Sequence, residues 1–544
     1  MNRTSMLDAL SRGPGAHAPV GPHPPRRPSS PWDLVVIGGG ATGLGVAIDA
    51  AARGYATVLV EQGDFAQGTS SRSTKLVHGG VRYLKQGNVA LVIEALKERG
   101  LLRANAPHLV RNLAFVVPSY DWWEGPFYGV GLKIYDLLAG RQGFGASKLL
   151  SREAVRERIP TIEPEGLTGG VVYHDGQFDD ARLAVNLAQT AAEQGAVVLN
   201  YVEATGLLKV AGQIAGVVAR DVETGRVLEI PARVVVNATG VFADRVRALD
   251  DPGARRMISP SQGVHIVLER AFLPGDTAIM VPKTDDGRVL FAIPWHDRVL
   301  VGTTDTPVAD VALEPRPLPE EVAFLLEHAA RYLVRDPRPA DVLSTFAGLR
   351  PLVGGEEQGA ATSELSRDHT LSISESGLVT IAGGKWTTYR RMAEATVDQA
   401  ATIAGLPDRP CPTRELHIHG WVGDTGTGTG TGTGGGAAEL AQYGADAPAL
   451  VSLIRGDARY ARQLHPRLPY LAGEVVWAAR EEMARTVEDV LSRRTRALVL
   501  DARASVAMAP AVAALLAEET GRDAAWADAQ VAAYAKLAEG YLPA

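Results

Sequence analysis

Asp33-Leu34-Val35-Val36-Ile37-Gly38-Gly39-Gly40-Ala41-Thr42-Gly43 is the stretch on which the fold turns. A short apolar β run, Asp33 to Ile37, meets a glycine-rich turn and passes directly into Thr42 to Arg53, which is patterned as a helix. Ala56 to Glu61 returns as a strand, so the segment reads as one βαβ unit. In such a unit Gly38 permits the tight turn, Gly40 lets a pyrophosphate approach the backbone, and Gly43 allows the helix to pack closely on the strand. The helix N-terminus then offers N–H groups and the positive end of its dipole to the phosphates. Glu61, closing the second strand, is placed to accept a hydrogen bond from a ribose hydroxyl.

Two later junctions extend this site. Val234-Val235-Val236-Asn237-Ala238-Thr239-Gly240 and Ile381-Ala382-Gly383-Gly384-Lys385-Trp386-Thr387-Thr388-Tyr389-Arg390 are strands ending in small residues, where further backbone can pass close to a long dinucleotide. Together with the fingerprint they predict an extended FAD site rather than a lone Gly-rich turn. Downstream of Glu61, Asp179 is a candidate N-cap for a helix running to Gln194, with Gly195 as its stop. Ala196 to Asn200, Ile214 to Ala219, Val227 to Ile230 and Arg233 to Asn237 read as strands of a meander.

The chain has 544 residues, 46% hydrophobic and 22% charged, which suits a folded soluble protein of several domains. Its 55 Lys plus Arg against 62 Asp plus Glu give a net charge of -7, without the basic excess of a nucleic-acid binder. A single cysteine, Cys411, excludes an internal disulfide and a Cys-rich metal site, so a reducing compartment and no bound metal are expected. No apolar run of about 18 residues marks a membrane span, and residues 1–31 lack the apolar core of a secretory signal. Those residues, with prolines from Pro14 to Pro31, read as a disordered Pro-rich tail. The Thr–Gly alternation from Thr425 to Gly436 reads as a flexible linker. Beyond it Val476, Met483, Val487, Val490 and Leu491 recur at helical spacing, and the plain reading of this C-terminal region is a packing cap.

The run Gly68-Thr69-Ser70-Ser71-Arg72-Ser73-Thr74-Lys75-Leu76-Val77-His78-Gly79-Gly80-Val81-Arg82-Tyr83-Leu84 resembles the flavin-contacting segment of the FAD-dependent glycerol-3-phosphate dehydrogenases. So do Gln177 to Leu183, Ser261 to Val267, Ile293-Pro294-Trp295, Gly302-Thr303-Thr304-Asp305, Gly348 to Leu352 and Gly383 to Arg390. The resemblance spans residues 32 to about 400 in the family's order, and the helical region resembles its C-terminal domain. It implies an α/β fold in which a Rossmann-type FAD-binding domain (32–110, 166–258 and 340–405) is interleaved with a mixed-sheet substrate domain (111–165 and 259–339). A Thr/Gly linker (421–438) and a helical C-terminal domain (439–544) follow. It further implies oxidation of sn-glycerol 3-phosphate to dihydroxyacetone phosphate by hydride transfer to FAD, with electrons passed to quinone.

That chemistry needs a phosphate clamp, a base for the C2 hydroxyl and a cation where negative charge gathers. Arg350 and Arg82 carry guanidinium forks suited to phosphate oxygens, Tyr83 adds a hydroxyl, and by resemblance all three line the substrate pocket. His265, in a strand running from Gly263 to Leu268, has an ordinary pKa suited to proton abstraction and is the expected base; His78 competes but falls in the flavin-contacting segment. Lys385, after two glycines, can stabilise charge on the flavin or bind a substrate oxygen. Ser70, Ser71, Thr74, Lys75, His78, Gly79, Gly240, Gly384 and Thr387 complete the expected cofactor contacts.

Quinone lives in a bilayer, and Trp122, Trp123, Phe127, Tyr128 and Tyr135, with Leu132, Ile134, Leu137 and Leu138 nearby, have the composition of an interfacial anchor. The same aromatics would equally serve as core. The expected location is cytoplasmic, peripheral on the inner face of the cell membrane, and the expected partners are glycerol 3-phosphate, quinone or another electron acceptor, a membrane surface and a second copy of the chain as a homodimer. An oxidase using O2 and releasing H2O2 shares every motif. A noncatalytic flavin-binding assembly protein would not need Arg82, His265, Arg350 and Lys385.

Overall fold

The computed structural model describes residues 1–14, 30–80, 88–121, 124–140, 143–285, 287–354, 369–423 and 440–543. Its first sheet grows from the strand Trp32–Ile37, whose six residues are all buried, as expected of a parallel strand covered on both faces. It pairs in parallel with Val227–Asn237 on one side and Thr57–Val60 on the other. Val379–Gly383 and Val197–Leu199 extend the parallel core, and the meander Val202–Val210, Gln213–Asp221, Val227–Asn237 adds the antiparallel part. The helices Ala41–Ala52 and Asp180–Glu193 cover the parallel core; the second is capped by Asp179, whose carboxylate accepts from the Arg182 N–H, and Gly195 takes the left-handed conformation after its end.

The second sheet is mixed and has ten strands among the described residues. The long strand Ile258–Glu269 lies between Val342–Val353 and Arg298–Gly302, and Thr277–Val281 joins this half to Val110–Ser119 and Gly169–Phe178. This corrects the expected domain limits. Residues 169–178 and 342–353 belong to this second sheet, not to the first, because their hydrogen-bonding partners are other strands of it. The interleaving is finer than the motifs alone suggest.

The tail is corrected too. Arg3–Arg12 is a helix capped by Asn2, with Met6 and Ala9 buried in the main core. The Arg3 guanidinium reaches Asp221 Oδ1 at 2.6 Å and the Asn200 carbonyl at 3.1 Å, which pins the helix to the sheet. Averaging over the proline-rich residues hid this segment; residues 15–29 lie outside the described residues, as does 424–439, which includes the Thr–Gly run.

The C-terminal part is mostly helical, with a two-stranded hairpin, Gln463–His465 and Leu468–Leu471. One of its joints is His419, whose Nε2 lies 2.7 Å from Asp446 and whose Nδ1 contacts Glu193 at the end of the helix Asp180–Glu193. Burial by itself would depress its pKa, but the two carboxylates outweigh burial and hold it up to about 9. The folded value exceeds the unfolded one, so this joint stabilises the fold fully below about pH 6.5, and the gain disappears as pH rises through about 9. In thermal melts across that interval the parent is expected to lose stability that His419→Gln does not; parallel curves would contradict the assignment.

Candidate active site

A cavity of about 470 Å³ opens at the C-terminal ends of the parallel strands. Gly38, Gly40, Ala41 and Thr42 form one wall, Glu61 and Gln67 to Ser70 another, and Ala238 to Phe242 with Ile381 to Trp386 the floor. Gly38 has φ +112°, and a Cβ there would sit 2.6 Å from the Ala238 carbonyl oxygen. A Cβ on Gly43 would run into the carbonyl oxygen of Gly38. Both positions are thus closed to any side chain, as close helix–strand packing over a phosphate cradle requires. The Ala41 N–H at the helix start donates to Ser70 Oγ at 2.9 Å, which ties the flavin-segment serine to the cradle.

Glu61 lines the cavity with its carboxylate steadied by the N–H groups of Gly39 (2.7 Å) and Gly63 (2.9 Å). Burial raises its pKa, and those two donors oppose the rise. An acceptor fixed at the end of the second strand is what a ribose needs. From Glu61 and Thr205 to Lys385 and Pro351 the cavity is continuous, so its shape and donors fit an extended dinucleotide.

The other expected cofactor residues divide. Ser70, Gly240, Gly384 and Lys385 line the cavity. Ser71 does not line the cavity; its carbonyl accepts from Lys75 Nζ (2.8 Å) and from Arg496 (2.8 Å). Lys75 does not line the cavity. Its ammonium is fully buried, donates to Asp180 Oδ2 at 2.6 Å, and lies within 5.4 Å of the Trp295 and Phe346 ring centroids. Burial lowers its pKa although Asp180 opposes the shift. Thr74 directs its hydroxyl to His265 Nε2 at 3.0 Å. The His78 N–H donates to Thr387 Oγ1 at 3.2 Å, and the Gly79 N–H donates to the Tyr135 hydroxyl at 2.8 Å. None of His78, Gly79 and Thr387 lines the cavity. Arg82 and Tyr83 lie outside the described residues.

His265 and Arg350 come together through the register of the second sheet. Arg350 is opposite Ser261, four residues from His265 on the same strand, so both side chains project from one face. Gly263, between them, leaves the space that the Arg350 guanidinium occupies, and Gly302 leaves the space for the His265 ring. The ring stacks on Phe346 with centroids 4.8 Å apart. Burial, then the charges of Lys75 and Arg350, drive the His265 pKa well below its ordinary value. The ring is held neutral, and is not poised near pH 7 as its unperturbed value suggests.

Arg350 donates to Asp305 Oδ1 (3.1 Å), Thr303 Oγ1 (3.2 Å) and the Thr304 carbonyl (2.9 Å). Pro351, the next residue, lines the cavity, and Thr69 Oγ1 donates to the Leu349 carbonyl at 2.6 Å. The strand Val342–Val353 is thereby joined to the loop that walls the cavity. Gly263, Gly302, Thr303 and Asp305 all fall in motifs visible in the sequence, but their roles as spacers and clamps depend on strand pairing.

A network absent from the sequence reading lies under the same loop. Asp64, fully buried, accepts from Arg493 Nε at 2.5 Å and from Arg494 at 2.6 and 2.9 Å. Arg496 reaches Asp180 at 3.0 Å, and Gln67 donates to Glu488 at 3.0 Å. These arginines and Glu488 come from the C-terminal part, which thus holds the cavity wall in place and is more than a packing cap.

Comparisons with known proteins accord with this geometry. Residues 33–390 match the model of the FAD dependent oxidoreductase family, and residues 429–527 match the C-terminal domain of alpha-glycerophosphate oxidase. The human mitochondrial glycerol-3-phosphate dehydrogenase is 40% identical over 544 aligned residues, covering 94% of this chain and 74% of that protein. A probable mitochondrial glycerol-3-phosphate dehydrogenase of Dictyostelium discoideum is 42% identical over 86% of this chain and 78% of its own length. The crystal structure of the glycerol-3-phosphate dehydrogenase from Bacillus halodurans, complexed with FAD, superposes with TM-score 0.78 at 30% identity, covering 100% of this chain and 99% of that one. The chain belongs to the FAD-dependent oxidoreductases and, within them, to the glycerol-3-phosphate dehydrogenase family.

Proposed function

We propose that the chain oxidises sn-glycerol 3-phosphate to dihydroxyacetone phosphate and passes the electrons to a quinone. The observation that carries this reading is the placement of a neutral histidine and a clamped arginine on one sheet face, next to the wall of the dinucleotide cavity. FAD, held by the Gly38–Gly43 turn, Glu61 and the Gly383–Gly384 junction, supplies the two-electron acceptor. Arg350 binds the phosphate through charge-assisted hydrogen bonds. Asp305 and Thr303 fix the guanidinium, so little side-chain freedom is lost when the anion arrives. Neutral His265 takes the C2 hydroxyl proton. Lys385, at the cavity floor, supplies positive charge beside the reacting groups.

The test is an assay of the purified holoenzyme with glycerol 3-phosphate, comparing quinone or dye reduction with peroxide release. Quinone reduction without peroxide is expected. Stoichiometric peroxide would make the chain an oxidase, and no turnover with any acceptor would leave a noncatalytic flavoprotein. The same preparation should be yellow with one FAD per chain; a folded, colourless protein that takes up no added FAD would contradict the cavity's assignment.

The helix Glu124–Ala139 supports a membrane-facing role. Phe127, Val130, Ile134 and Leu137 recur along one side of it and are exposed, Leu137 to 80%. Leu132 and Tyr135 are buried, so the aromatic segment divides into an outer stripe and an inner core face. Trp122 and Trp123 lie outside the described residues, and no helix among the described residues is long and apolar enough to cross a membrane. Ile134→Ser combined with Leu137→Ser is expected to abolish co-sedimentation with anionic vesicles while FAD content stays at the parent level. Undiminished co-sedimentation would remove the stripe from the membrane contact.

A further inference from the structure

We propose that Thr74 is a positioning residue for the proton transfer: its hydroxyl holds Nε2 of His265, so that Nδ1 is the atom that receives the substrate proton. The inference rests on the reading of His265 as the base. Two observations support it. Nε2 is engaged by Thr74 Oγ1 at 3.0 Å, whereas Nδ1 is buried and, among the described residues, has no hydrogen-bond partner, which is costly for a polar atom unless a ligand completes it. The ring is also fixed in its plane, stacked on Phe346 and lying over Gly302.

A neutral imidazole carries one N–H. With that hydrogen on Nε2, it donates to Thr74 Oγ1, and Nδ1 presents its lone pair. The substrate hydroxyl donates to Nδ1; as the C2 hydrogen leaves with its electron pair for FAD, the O–H proton passes to Nδ1 and the C2–O bond becomes a carbonyl. The resulting imidazolium donates from both nitrogens, and Thr74 accepts from Nε2. Among the described residues, the charged groups that act on the ring are the cations Lys75 and Arg350, which oppose its protonation, and each has a carboxylate partner, Asp180 and Asp305 respectively. Among the described residues no carboxylate contacts His265 itself, so Thr74 is the acceptor that steadies the charged ring.

Thr74→Val keeps the side chain's shape and removes the acceptor. In the holoenzyme, kcat for glycerol 3-phosphate is expected to fall about tenfold, the value of one hydrogen bond to a charged group, with KM unchanged within about twofold. The acidic limb of the kcat profile is expected to move down by about one pH unit, because the protonated ring has lost a partner. Thr74→Ser should restore both. A valine variant with the parent's kcat and acidic limb would overturn the proposal, as would equal losses in the valine and serine variants, or loss of FAD from a folded valine variant. His265→Gln separates the two levels. Parent-like turnover in that variant overturns the base assignment and the proposal with it, whereas lost turnover alongside a parent-like Thr74→Val overturns the proposal alone.

Discussion

Asp64→Ala is expected to destabilise the chain by about 3–5 kcal/mol, because removing one partner of a buried ionic cluster leaves the others charged and uncompensated. Here the stranded groups are Arg493 and Arg494, both buried and both bonded to the Asp64 carboxylate. The two arginines hold that carboxyl below the usual range against the opposing effect of burial. Asp64 also follows Glu61 by three residues in the loop that walls the cavity, so the loss should appear as early FAD release on heating as well as a lower unfolding temperature. Arg485→Ala provides the scale. Its pair with Glu223 is partly exposed, and breaking it should cost about 1 kcal/mol or less. Equal effects of the two substitutions would show that the buried cluster contributes no more than a surface pair.

Arg350→Ala addresses the substrate. Losing a charge-assisted contact typically costs about 1.5–3 kcal/mol, which lowers kcat/KM for glycerol 3-phosphate about 10- to 150-fold. The flavin spectrum should persist, because Arg350 contacts Asp305, Thr303 and Thr304 on the substrate sheet. Residual activity toward unphosphorylated glycerol, however poor, should match the parent's, since that substrate never used the contact. Equal losses on both substrates with FAD retained would move Arg350 from the phosphate end to the reacting end.

The parts of this molecule that were legible in the sequence are those governed by local rules. Gly38, Gly40 and Gly43 sit in a strand–turn–helix whose geometry follows from residues within one βαβ unit, and Glu61 closes that same unit. His265 and Arg350 were legible through family-like motifs, and the register of two neighbouring strands places them on one face. The protein partners of Lys75 and Thr74 were not legible because they lie far away in the chain. Lys75 answers to Asp180, 105 residues away, and Thr74 to His265, 191 residues away. No periodicity encodes such pairings. The same holds for Arg493 and Arg494 in the helical C-terminal region, which are buried against Asp64, 429 and 430 residues away. Within the first 31 residues, a composition dominated by proline masked a ten-residue helix whose anchoring arginine finds its partner in Asp221.

The hydrogen bond from Thr69 to the Leu349 carbonyl has a consequence for handling the protein. It makes the loop that walls the cavity and the strand that carries Arg350, the proposed anion clamp, mechanically continuous. Coupling between two bound ligands is reciprocal: whatever factor FAD contributes to anion affinity at Arg350, an anion there returns to FAD affinity. Inorganic phosphate in the storage buffer should therefore slow the bleaching of the holoprotein on dilution, and apoprotein should reconstitute more completely in its presence than in a buffer of equal ionic strength without it.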